Sequence, residues 1–235
     1  MTSAVLRISG VRRKYQGLRP LRINALAVEA GERVALSGLD AGAAEVLVNL
    51  VTGASVPDEG EVAVTGRSTA SIADGEEWLA SLDRFGIVSP RAVLLDSATL
   101  LQNLAMPLSL EIEPVPPAID ARVRELAREA GIEDERLGQR VAALDAATRA
   151  RTHLVRAVAL DPALLILEHP TVGLDGGEGK SFGEAVARVA GARSLATLII
   201  SEDDEFASAA ATRRLVLHAA TGELKPKRRW FFGRS

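Results

Sequence analysis

Apolar and polar residues alternate from Val5 to Val11 and again from Leu21 to Val28, the period of half-buried antiparallel strands. Arg33-Val-Ala-Leu-Ser-Gly38 predicts a short buried strand running into a turn. Beyond that turn Val46, Leu47, Leu50 and Val51 recur at helical spacing up to Thr52-Gly53, where glycine stops the helix. Glu59 to Gly66 reads as a return strand, and Arg84 to Val88 as another, broken by Pro90. From Thr99 to Leu160 the pattern is mostly helical. Ile119, Val123, Leu126 and Ala130 form one stripe, ended by Gly131, and Glu113-Pro-Val-Pro-Pro117 separates two of these helices. Ala163 to Leu167 and Leu195 to Ile200 are continuous apolar runs, the mark of central parallel strands, with a helix between them. Arg214 to His218 and Gly222 to Leu224 predict a closing hairpin. This order predicts an α/β domain with a mainly parallel sheet and a helical insertion.

Composition narrows the picture slightly. Among 235 residues, 47% are hydrophobic and only 3% aromatic, so the core is aliphatic. A net charge of −3 supplies no global field for nucleic acid. The absence of cysteine excludes disulfides, thiolate metal sites and a cysteine nucleophile. The N-terminal MTSAVLRISG lacks the basic-then-apolar order of a secretory signal. No apolar run reaches the ~18–20 residues that span a bilayer. These features predict a cytoplasmic protein. Lys225, Lys227, Arg228 and Arg229 stand beside Trp230, Phe231 and Phe232. That basic-aromatic tail, 225–235, suits an anionic membrane surface or a partner groove, or is a plain terminus.

An ordered set of segments carries a resemblance. Leu160-Asp-Pro-Ala-Leu-Leu-Ile-Leu-Glu-His-Pro-Thr-Val-Gly-Leu-Asp175 is similar to a Walker B strand and D-loop. Arg151 to Ala159 resembles the helix after an ABC signature. Glu29 to Leu39 resembles the strand entering a P-loop, and Val51 to Val62 its return. Over residues 4 to 224 the chain thus resembles an ABC transporter ATPase subunit. The resemblance implies a P-loop α/β core, an antiparallel β-subdomain and a helical subdomain at about 90–160, in one domain of residues 1–224. It also implies ATP and Mg²⁺ as ligands, dimers with the same or another ABC ATPase, and a membrane permease as partner.

Position by position, the family chemistry is replaced. A P-loop needs glycines for close approach to phosphate, a Lys on the phosphates and a Ser/Thr on Mg²⁺. Gly38 and Gly42 remain, Ala41 and Ala43 replace family glycines, Ala44 falls at the Lys and Glu45 at the hydroxyl. Gly38 to Glu45 reads either as a phosphate site or as a strand–turn–helix corner. Glu168 falls at the metal-supporting Asp, His169 at the catalytic Glu and Glu202 at the switch His. Glu168 could hold a metal through water, and His169 with Glu202 either work in exchanged catalytic roles or hydrogen-bond to each other. The signature, whose Ser and Gly donors face a partner's phosphate, aligns with Leu144-Asp-Ala-Ala-Thr148. Asp145, followed by Ala146 and Ala147, would thus face phosphate with like charge, and as structure Asp145 reads as a helix N-cap. The Q-loop glutamine falls at Pro90, and Tyr15 falls at the adenine-stacking aromatic or is packed.

Asp40, Glu45 and Asp145 all stand at helix N-termini, the positive ends that would receive phosphate. Three functional readings follow. The first is a degenerate subunit acting as a structural or regulatory partner of a permease or another ATPase. The second is a working hydrolase that uses Glu168, His169 and Glu202 in rearranged roles. The third is an interaction module with no transporter partner. Replacing Ala44 by Lys together with Glu45 by Ser is expected to regain ATP affinity more than either change alone.

Overall fold

The computed structural model describes residues 4–227. The chain opens with β1 (Leu6–Arg13), β2 (Leu21–Val28) and β3 (Arg33–Ser37), followed by α1 (Ala41–Val51). Next come β4 (Glu59–Val64), β5 (Arg67–Ser68), α2 (Gly75–Ser81) and β6 (Phe85–Val88). Three helices follow in succession: α3 (Leu100–Ala105), α4 (Pro117–Glu129) and α5 (Ala146–Val158). The remainder alternates, as β7 (Leu164–Glu168), α6 (Glu178–Ala192), β8 (Ala196–Ile200) and α7 (Asp204–Ala210), then β9 (Arg213–His218) and β10 (Glu223–Pro226).

Two sheets result. One is antiparallel with strand order β2-β1-β4-β5; the other runs β10-β9-β3-β8-β7-β6, parallel except for the β9–β10 hairpin. The continuous apolar runs are central, as predicted, because both of their faces are covered. Leu164 and Ile166 of β7 pack with α1 and the antiparallel sheet, while Leu165 and Leu167 pack with the helices on the other side. Boundaries differ by a residue or two from the sequence pattern. The shortfall is α2 and α7, seven residues each, too short to show a helical period. The Pro-rich segment separates α3 from α4, and Pro117 opens α4, where a missing N–H costs nothing.

The parallel strands end at one edge of their sheet. Gly38 follows β3, Ser89 and Pro90 follow β6, His169 follows β7 and Ser201-Glu202 follows β8. Residues far apart in sequence therefore meet at the carboxyl ends of the strands, where open α/β sheets bind ligands.

Candidate functional site

Gly38 to Glu45 folds as a strand–turn–helix corner. Helix α1 already begins at Ala41, capped by Asp40, whose Oδ1 accepts from Ala43 N at 2.8 Å. Ala44 N donates to the Asp40 carbonyl at 2.9 Å. Alanines at 41, 43 and 44 favour this early start, since alanine is the best helix former and glycine a poor one. Gly38 has φ of +89°, and a Cβ there would lie 2.6 Å from the Leu217 carbonyl oxygen, so glycine is needed at that position. Its N–H donates to Glu202 Oε1 at 2.6 Å. Two amides at the head of the loop are thus held by the chain's own carboxylates. Ala44 is fully buried among aliphatic side chains, including Leu47 and Leu50. Glu45 is half-exposed on the first turn.

The sequence reading missed Arg91. Ser89 to Ala92 is a turn, with Ala92 N donating to the Ser89 carbonyl at 3.0 Å and Arg91 N to Ser89 Oγ at 3.2 Å. Pro90, which has no N–H to lose, occupies the second position that proline favours. From this turn Arg91 grips Glu168 with both ends of its guanidinium, Nη1 to Oε1 at 2.9 Å and Nη2 to Oε2 at 2.7 Å. Nη1 also lies 3.4 Å from Glu45 Oε2. Glu168 is only 2% exposed, whereas Arg91 and Glu45 are each about half-exposed. The sequence signal for Arg91 was charge balance: two glutamates at metal-facing positions call for a nearby cation.

His169 and Glu202 do not form the expected pair. Glu202 turns instead to Gly38 N, and His169 Nε2 is buried with no hydrogen-bond partner. Only the His169 backbone crosses between the strands, donating to the Ile200 carbonyl at 2.8 Å. His169 sits at φ of +40°, a left-handed conformation that histidine enters more readily than most residues. Its ring lines a cavity of about 250 Å³ with Pro90, Ala146, Arg149 and His153. Burial, with Arg156 and Arg149 nearby, holds the His153 imidazole down at about 4. Among the described residues, no group of three or more His, Asp or Glu side chains could hold a metal ion.

The signature-like segment behaves as a helix cap. Leu144 ends a short 3₁₀ turn, and Asp145 caps α5, accepting from Thr148 N at 2.7 Å and from Arg136 Nη1 at 2.6 Å. Ala146 and Ala147 form the first turn of α5, and Thr148 is buried. Hydrogen bonds from the Thr148 side chain and backbone, then Arg136, hold the Asp145 carboxyl down at about 2. A lowered carboxylate stabilises the fold above its ordinary value near 4, and the contribution fades as pH falls toward 2. Asp145→Ala is therefore expected to cost ~1 kcal/mol at neutral pH. In urea unfolding the gap between variant and wild type should close as pH drops from about 4 to 2.

Tyr15 stands beside the corner. A Cβ on Gly42 would lie 3.3 Å from its ring, and the ring borders a cavity of about 300 Å³ with Arg19, Arg22, Asp40 and Leu217. Burial first, and the Asp40 charge second, raise its phenol above the usual value. The tail begins later than the sequence reading placed it, because Lys225 and Pro226 belong to β10. Lys225 pairs with Glu223 and Lys227 with Asp204. Arg228 to Ser235, with Trp230, Phe231 and Phe232, lie outside the described residues.

A family profile described as ABC transporter matches residues 21–172. The chain is 31% identical over 210 residues to the lipoprotein-releasing system ATP-binding protein LolD of Chromohalobacter salexigens, covering 87% of each. It is 29% identical over 215 residues to the Fe(3+) ions import ATP-binding protein FbpC 2 of Rhodococcus jostii, covering 91% of this chain but only 60% of that relative. Among solved structures, cbiO1 from Clostridium perfringens, part of the cbiONQ transporter complex, superposes with a TM-score of 0.79 at 18% identity, covering 94% and 87% of the two chains. The dimeric structure of a bacterial ABC transporter cassette superposes at 0.75 and 20% identity, covering 96% and 100%. With that match, and with the P-loop corner, the strand ending in Glu168 and the capped α5 in their expected order, the chain belongs to the ABC transporter ATP-binding family.

Proposed function

We propose that this cassette is a structural or regulatory subunit that works with a membrane permease or another ATPase and hydrolyses little or no ATP. The observation that carries the reading is the capping of the phosphate corner by the chain's own carboxylates, Glu202 on Gly38 N and Asp40 on Ala43 N. A nucleotide phosphate would need those amides, and it would meet two negative charges on arrival. The residues present fit Mg²⁺·ATP poorly. Ala44 supplies no cation, and both glutamates at metal-facing positions are engaged by Arg91.

Relatives of this family act as ATP-binding subunits of transport systems, and one solved neighbour is a dimer. By the family's geometry each composite site would join one chain's P-loop to the partner's signature. Paired with a competent ATPase, this chain would lack Lys and base in one site, and Asp145 would face phosphate in the other. Dimerisation, with itself or with another cassette, would therefore serve assembly. Residence on the cytoplasmic side, at the permease, accords with this role. Among the described residues no helix is long and apolar enough to cross a membrane. Calorimetric titration of ATP, with and without Mg²⁺, should give no saturable heat. Saturable binding strengthened by Mg²⁺ would favour the rearranged hydrolase instead.

A further inference from the structure

A carboxylate as buried as Glu168 must be matched by a cation or lose its charge. In this chain the match is one of its own side chains. Arg91 meets both Glu168 oxygens in a fork, the strongest geometry available to such a pair, and extends to Glu45. Glu45 and Glu168 are the two positions where the family resemblance puts the metal-facing hydroxyl and carboxylate. One guanidinium lies between them, hydrogen-bonded to Glu168 and ion-paired at 3.4 Å to Glu45, and a divalent ion bound by both carboxylates would have to displace it. The Ser89–Ala92 turn fixes the base of the side chain, so the ion pair joins the end of β6 to α1 and to the end of β7.

We propose that Arg91 is a resident cation that serves in place of a bound divalent ion, tying these three elements together without nucleotide. The proposal rests on the capped-site reading above, but it is tested on stability alone, so either can fail without the other. Three chains are melted with and without added Mg²⁺: wild type, Arg91→Ala, and Arg91→Ala combined with Glu168→Gln.

Wild-type Tm should not respond to Mg²⁺. Arg91→Ala strands a buried charge and should lower Tm by roughly 6–20 °C. Mg²⁺ should restore part of that loss, because the two carboxylates that Arg91 reaches are then left without their cation. The double variant, with no buried charge to match, should recover most of the loss and ignore Mg²⁺. If Arg91→Ala alone fails to fold, the double variant should still fold. The proposal is overturned if Arg91→Ala melts with wild type, if Mg²⁺ does not raise its Tm, or if wild type gains as much from the ion. A double variant no more stable than the single one overturns it too.

Discussion

Incubated with ATP and Mg²⁺, the purified chain is expected to release phosphate no faster than a buffer blank. Three losses accumulate. A positive group on the transferred phosphoryl can be worth ~10³–10⁵ in rate, and the P-loop position that would supply one is Ala44. A positioned general base contributes ~10²–10⁴. Of the candidates, Glu168 is forked by Arg91, Glu202 is bonded to Gly38 N, and the Nε2 of His169 is buried. The third loss is positional, because a phosphate displaced from the corner cannot be aligned with any nucleophile. Phosphate release measured on chain free of contaminating ATPase tests this. Mg²⁺-dependent turnover that disappears in His169→Ala would sink the idea and install His169 as the base.

Ala44→Lys is expected to remove much of the chain's stability rather than rebuild a nucleotide site. From sequence alone, Ala44→Lys with Glu45→Ser should regain affinity. The burial of Ala44 argues the other way, since it is 0% exposed and packed in the aliphatic core. The extra methylenes of a lysine overfill the space, at ~1–3 kcal/mol. A buried unpaired ammonium adds several kcal/mol more. Against a typical stability of ~5–15 kcal/mol, that is a large fraction. Glu45→Ser does not relieve it, and it also takes one carboxylate from Arg91. Urea unfolding of Ala44→Lys should show a midpoint far below wild type, and ATP titration of the double variant should show no gain. An Ala44→Lys chain as stable as wild type that binds ATP would mean the corner reopens into a cradle.

How much of this was legible beforehand follows the range of the forces involved. Strands β2, β7 and β8 were readable because alternation and continuous apolar runs are local records of how many faces a strand buries. The N-cap role of Asp145 was readable for the same reason, since a cap is a contact three residues long. The site itself was only half readable. The replaced positions could be named from the motif order, but the partners could not. Glu202 meets Gly38 and Arg91 meets Glu168 through the sheet order, which brings strand ends together irrespective of sequence distance. His169 shows the cost of reading neighbours from topology alone. Its strand lies beside that of Glu202, yet the glutamate went to a backbone amide on the other flank.

Strand β3 sets a timetable for the nascent chain. Its hydrogen-bonding neighbours are β8 on one side and β9 on the other, both near the end of the chain. The β2-β1-β4-β5 sheet, by contrast, is complete once Ser68 has been made. At a synthesis rate of ~5–20 residues per second, β3 waits roughly 10–30 s for its first partner. Throughout that interval Val34 and Leu36, fully buried in the finished protein, belong to a strand with both edges open. An unpaired apolar strand invites pairing with other chains. Faster synthesis or a bound chaperone, by shortening or shielding that interval, is therefore expected to raise soluble yield.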